Sequence, residues 1–298
     1  MFARATAVVA VCAVIAGCGE NGSSESDDLF DADRAFADLA AQVEIGPRPA
    51  GSPASRETAR LIAARLRAAG VEQVRIQRPH RNVVGTLDGS EPGTIVVGAH
   101  HDTKDDVGGG FQGANDGASG VAVVLELARS LPRPLPGPAV QLVLFDAEEA
   151  RGDRPFEVDG TRGSRQYVRY AQGGGEQGAA PLDRIEAMVL FDLVGDCDLH
   201  VPREANSDVS LYALFAEAAE EVEGDADPFA GTTGAVLDDH IPFRDAGIPA
   251  VDLIDFTFGP GPSPGAWWHT PEDTLDKVCA ESLDAVGEAA VRAIPRIG

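Results

Sequence analysis

The chain is poor in basic charge and in cysteine. Against 48 acidic residues it carries 24 Lys and Arg, a formal net charge of −24, and those cations never gather into a run. Nucleic acid is held by clustered Lys and Arg that displace its counterions, so a nucleic-acid partner is excluded. High acidity instead suits a well-solvated surface and leaves carboxylates available for metal ligation. The four cysteines stand at 12, 18, 197 and 279, and none forms a Cys-x-x-Cys pair, which removes the paired-thiolate type of metal site. Other absences narrow the chemistry further. Gly108-Gly109-Gly110 lacks the Gly-Lys-Ser/Thr of a phosphate loop, and Gly117-Ala118-Ser119-Gly120-Val121 lacks the last Gly of a nucleophile elbow. There is no internal repeat and no domain boundary after Leu29.

What is present begins with an unusual N-terminus. Arg4 precedes an apolar run over 5–16 that is too short to span a bilayer, and Ile15-Ala16-Gly17-Cys18 follows. This resembles a bacterial lipoprotein signal. The resemblance implies cleavage before Cys18, lipidation of its thiol, and an extracytoplasmic protein, periplasm-facing or on the cell surface, that touches the membrane only through its lipid. Residues 19–28 are polar and read as a flexible tether. The expected organisation is therefore a signal peptide over 1–17, a lipidated Cys and tether over 18–28, and one catalytic domain over 29–298. Cys197 and Cys279 remain, and sequence alone leaves open whether they pair.

Past the tether, apolar spacing predicts helices over 29–43, 55–69, 117–131, 164–170, 207–222 and 281–293. Short β-branched or continuous apolar runs predict strands over 71–77, 82–87, 94–97, 140–145, 187–193 and 249–254, with Asp88-Gly89 as a turn between the second and third. Strands alternating with helices give an α/β domain with a mostly parallel central sheet sandwiched by helices.

Several of these strands end in polar residues that a buried element rarely carries. The third runs into His100-His101-Asp102, the fourth into Glu148-Glu149, and the fifth contains Asp192. In an open α/β sheet the carboxyl ends of the strands share one edge, where ligands bind. Asp116, in a turn leading into a helix, and His269, after Trp267-Trp268, complete the set. His100, Asp116, Glu149, Asp192 and His269 form a mixed nitrogen and oxygen donor set of the kind zinc accepts, and so many carboxylates together call for a cation. In extended chain His100 and Asp102 share a face, and a carboxylate beside an imidazole is the usual support for a metal-bound histidine.

These motifs, His100-x-Asp102, Gly113-Ala114-Asn115-Asp116 with Ser119-Gly120, Glu148-Glu149, Asp192 and His269, resemble those of metallopeptidase family 28 in order and spacing. That family comprises zinc aminopeptidases and glutaminyl-peptide cyclotransferases. The resemblance implies one or two zinc ions and peptide or protein N-termini as substrates. It makes Asp116, Glu149 and His269 ligands of the zinc that the cyclotransferases use; His100 and Asp192 complete a second site in the aminopeptidases, with Asp116 bridging. Glu148 matches the general acid/base and Asp102 the residue that orients His100.

Leu237-Asp238-Asp239-His240-Ile241-Pro242-Phe243 and Trp268-His269-Thr270 are similar to cyclotransferase segments. They imply that Asp238 handles protons with Glu148, and that Trp268 and His240 border the substrate. Two departures stand out: Asp252 occupies a position where the animal enzymes have His, and the stretch after Glu149 lacks their Trp. The expectation is a cyclotransferase that converts N-terminal Gln to pyroglutamate with release of ammonia, the alternative a two-zinc aminopeptidase. A metal-free binding module on the same fold predicts broken ligands, whereas all five are present.

Overall fold

The computed structural model of the protein describes residues 28–223 and 228–298. The expected signal, Cys18 and most of the tether lie outside the described residues. In chain order the elements are α1 (Ala32–Val43), α2 (Pro53–Ala68), β1 (Glu72–Ile76), β2 (Val83–Leu87), β3 (Thr94–His100), α3 (Ser119–Ser130), β4 (Ala139–Phe145), α4 (Phe156–Asp159), α5 (Arg162–Gln172), β5 (Ile185–Asp192), α6 (Val209–Glu223), α7 (Ile241–Asp245), β6 (Ala250–Ile254) and α8 (Ala280–Ala293).

Local chemistry sets the helix starts. Asp31 caps α1 by accepting the N–H of Arg34 at 2.9 Å, and Ser52 caps α2 by accepting that of Ser55 at 2.9 Å, with Pro53 at the first helical position. The strands form one six-stranded sheet in the order β1-β2-β4-β3-β5-β6. β4, β3, β5 and β6 run parallel, while β2 is antiparallel to both β1 and β4. Helices cover both faces and the sheet is mostly parallel, as expected, with β2 as its one reversed strand.

The central strands are buried on both sides, which explains their continuous apolar runs. In β3, Ile95, Val97 and Ala99 belong to the larger core, under α1, α2, α3, α6 and α8, while Val96 points to the smaller one, under α5 and α7. α3 is buried from Ser119 to Ala128, its apolar residues in that larger core and its one buried charge, Glu126, paired with Arg34 and Arg129. It approaches β5 closely at Gly120, where a Cβ would stand 2.1 Å from the Phe191 carbonyl oxygen. That contact lowers the start of α3, with the turn before it, onto the end of β5.

The Asp88-Gly89 turn is a correction. β2 and β3 are not neighbours; β3 lies between β4 and β5, so no hairpin joins it to β2. Instead Asp88 accepts the N–H of Leu135 at 3.0 Å and Gly89 bridges to Leu135 in the approach to β4. From β3 the chain moves to one side to form β4, then crosses back to the other to form β5. This reversal opens a crevice at the carboxyl end of β3, where His100 sits. Cys197, beyond β5, and Cys279, at the start of α8, are joined in a disulfide.

Candidate metal centre

Four connections at the carboxyl edge of the sheet bring the expected ligands together. His100 ends β3, Asp116 lies in the turn before α3, Glu149 follows β4, Asp192 ends β5, and His269 lies between β6 and α8. The backbone is left-handed at Ala147, Leu193 and His269, with φ of 64°, 50° and 50°. Non-glycine residues rarely adopt this conformation, and its cost is tolerated where the surroundings impose it. Each of these three is a candidate ligand or lies within two residues of one.

The five groups divide into two triads that share Asp116: His100, Asp116 and Asp192, and Asp116, Glu149 and His269. In each, the candidate ligand atoms lie within 4.8 Å of one another. His100 Nε2 is 3.3 Å from Asp116 Oδ1 and 3.2 Å from Asp192 Oδ1. His269 Nε2 is 2.9 Å from Glu149 Oε1 and 3.2 Å from Asp116 Oδ2. The two oxygens of Asp116 therefore face different triads, as a bridging carboxylate does.

The donor chemistry fits a cation. His100 Nδ1 lies 3.1 Å from the Asp102 carbonyl, which can only accept, so this nitrogen carries a proton and Nε2 is the ring atom left to face the carboxylates. His269 Nε2 faces both Glu149 and Asp116, so a proton there could serve only one of them, and Asp116 Oδ2 is buried without a hydrogen-bond donor. Without a metal the charges are balanced by protons. Burial opposes an imidazolium at both histidines, yet Asp192 with its neighbours holds His100 well above the ordinary range, and Asp116 and Glu149 raise His269 to about 10. Burial, then the charge of Asp116, raises Glu149 to about 7. Asp116 itself is held low by both histidines, against the effect of burial.

A cavity of about 350 Å³ opens over the two triads. Glu148 and Asp238 are in its wall, as are Trp268, Phe256, Phe156 and Ile254. Burial pushes both acids well above the usual carboxylate range; next in effect are the charge of Asp238 on Glu148 and that of Asp192 on Asp238. Trp268 stacks on His269 with ring centroids 3.8 Å apart and meets Phe256 edge-on. The other wall is the stretch after Glu149. It is pinned by Asp159, which accepts from Arg151 at 2.6 Å, Arg162 at 2.8 Å and Arg154 at 3.2 Å. Those bonds depress the Asp159 pKa strongly.

Two expectations are revised. His240 is fully buried behind the cavity, with Nε2 3.4 Å from Glu204 and Nδ1 3.5 Å from Asp252, so it does not border a substrate there. Asp102 supports His100 mainly through its backbone: its carboxylate is 3.7 Å from Nδ1 and instead accepts the backbone N–H groups of Glu148 and Glu149. No direct hydrogen bond joins Glu148 to Asp238 among the described residues. Sequence reading also missed Arg48 and Asp273. Asp273 accepts the N–H of Asn115 at 2.7 Å and of Asp116 at 3.1 Å, fixing the ligand turn. Its only sequence signal is its place four residues after His269.

Comparison with known proteins agrees with this geometry. Glutaminyl-peptide cyclotransferase of Drosophila melanogaster is 31% identical over 228 residues, covering 68% of this chain and 61% of that protein. Aminopeptidase YwaD of Bacillus subtilis is 28% identical over 211 residues, covering 68% of this chain and 41% of its own length. The matches thus span less than two thirds of these relatives. A crystal structure of glutaminyl cyclase from an Acidobacteriales bacterium superimposes with a TM-score of 0.78 at 31% identity, over 90% of this chain and 94% of that one. The profile of peptidase family M28 matches residues 82–294, more than half of the chain, and the protein therefore belongs to that family.

Proposed function

We propose that the chain is a zinc-dependent glutaminyl-peptide cyclotransferase acting on peptides or proteins that begin with Gln. The observation that carries this reading is the pair of buried acids, Glu148 and Asp238, in one cavity wall beside the Asp116, Glu149 and His269 triad. The likeness to glutaminyl cyclases supports it. Zinc, when bound by that triad, supplies a Lewis acid for the side-chain amide carbonyl of the substrate Gln. Trp268 and Phe256 give the Gln methylenes an apolar wall. Glu148, ionised at the moment of reaction, takes a proton from the α-amine as that nitrogen bonds to the amide carbon. It returns the proton to the leaving nitrogen as the carbon–nitrogen bond breaks and ammonia departs. The charge of Asp238 raises the proton affinity of Glu148, which suits a group that must both accept and donate.

One observation favours a second reading. The His100, Asp116 and Asp192 triad is also complete, and Asp116 is placed to bridge, as a two-zinc aminopeptidase requires. A Gln-initiated peptide separates the two. Cyclisation lowers its mass by one ammonia, whereas hydrolysis removes a whole residue. Removal of the residue, with no pyroglutamyl product, would overturn the cyclotransferase reading.

The protein is further proposed to be exported and lipid-anchored through Cys18. The lipoprotein-like N-terminus supports this, and the Cys197–Cys279 bond suits an oxidising compartment. A Cys18→Ala chain should lose its radiolabelled acyl group and leave the membrane fraction; retained label would defeat the assignment.

A further inference from the structure

Arg48 belongs neither to the candidate ligands nor to the acid pair, yet it is fully buried, which is rare for arginine. A buried guanidinium usually bonds a carboxylate. Here its hydrogen bonds run to backbone carbonyls: Nε to His101 at 2.9 Å, Nη1 to Gln112 at 2.8 Å and Nη2 to Gly113 at 2.6 Å. His101 lies between His100 and Asp102, and Gln112 and Gly113 open the turn that ends at Asp116. One planar group thus ties the end of β3 to the turn carrying the bridging carboxylate. The backbone N–H of Arg48 also donates to Thr103 Oγ1 at 3.0 Å.

The acids whose charge reaches it are Asp273, Asp116 and Asp102. Burial lowers its pKa to about 10, so the guanidinium stays charged at neutral pH. Asp273 holds the amides of Asn115 and Asp116, so the turn is gripped at its carbonyls by a cation and at its amides by an anion.

We propose that Arg48 is a positioning residue for the metal, a buried clasp and counter-charge that holds the His100 strand end and the Asp116 turn in ligating geometry before any cation binds. The assignment rests on the metal-centre reading above. Lys keeps the charge but cannot reproduce the fork that reaches three separated carbonyls, and Met keeps neither.

The test compares wild type, Arg48→Lys and Arg48→Met for zinc affinity by chelator competition and for the visible spectrum of the cobalt-substituted protein. Zinc affinity should fall about 10- to 100-fold in both variants, with shifted cobalt bands. Wild-type affinity and an unchanged spectrum in both would overturn the assignment. A wild-type protein that takes up no zinc would instead defeat the metal-centre reading. Hydrogen exchange on metal-stripped wild type supplies a measurement that needs no variant to fold. The amides of Asn115 and Asp116, which Asp273 holds, should stay protected, and exchange at free-peptide rates would overturn the claim that the turn is in ligating geometry before a cation binds.

Discussion

The carboxylate of Asp102 accepts the backbone N–H of Glu148 at 3.0 Å, and its other oxygen accepts that of Glu149 at 3.3 Å. A side chain at the end of β3 thus fixes both acids that follow β4. In Asp102→Asn one of those amides faces an NH₂ group and loses its acceptor. The expected result is a stability loss of about 1–3 kcal/mol and a fall in turnover on the order of 10²-fold, because Glu148 and Glu149 shift together. Thermal melts and steady-state kinetics measure both; a variant as active as wild type would show that the anchoring is dispensable.

Glu148→Gln keeps the shape of the side chain and removes its proton chemistry. Turnover should fall about 10²–10⁴-fold while metal content stays at the wild-type level. Measuring both on one preparation separates loss of the base from loss of the centre.

The two triads should respond differently. With one zinc held by Asp116, Glu149 and His269, His269→Ala should leave the protein without stoichiometric zinc and His100→Ala should keep one equivalent. Elemental analysis after dialysis decides. Two equivalents in wild type, with one lost on removing His100, would favour the aminopeptidase reading.

Asp255, just past β6, predicts a pH dependence away from the ligands. It accepts the N–H groups of His200 at 2.8 Å and Thr257 at 3.1 Å, but burial outweighs them and raises its pKa from 3.8 to about 7. Between those values the folded chain keeps a proton that the unfolded chain releases. The contribution of Asp255 to stability is therefore full below about pH 4 and is lost as pH rises through about 7. Urea titrations should give a flatter stability profile across this window for Asp255→Asn than for wild type, and identical slopes would contradict the shift.

The Cys197–Cys279 bond closes a separation of 82 residues and ties the loop after β5 to the start of α8. Gly195, two residues before Cys197, donates its N–H to Asn115 beside the ligand turn at 2.8 Å. Reduction, or a double Ser replacement, should cost about 2–5 kcal/mol, read as a lower melting temperature with reductant.

Sequence patterning exposed the elements that a period of two or of 3.6 defines. α1, α2, α3 and β3 to β6 stand within a few residues of where apolar spacing puts them. β2 itself stands where expected, but its connection does not, because Asp88-Gly89 has the composition of a hairpin turn, whereas strand order depends on which faces must be buried. The candidate ligands His100 and Asp192 were legible because a polar residue ending a buried strand has few other uses. Arg48, Asp273 and the carboxylate role of Asp102 were not, since they act on backbone groups and no side-chain pattern records a partner that every residue possesses. His240 shows the converse: a motif placed it near the substrate, but the fold turned its ring inward between Glu204 and Asp252.

The candidate ligands come from four connections along the sheet edge, and the Asp116, Glu149 and His269 triad closes only when the segment between β6 and α8 has docked. A cation seated there is a stoichiometric reporter of completed folding. Its binding free energy adds to the stability of the whole chain rather than of any one loop, and a nick in any of the four connections puts that shared reserve at risk.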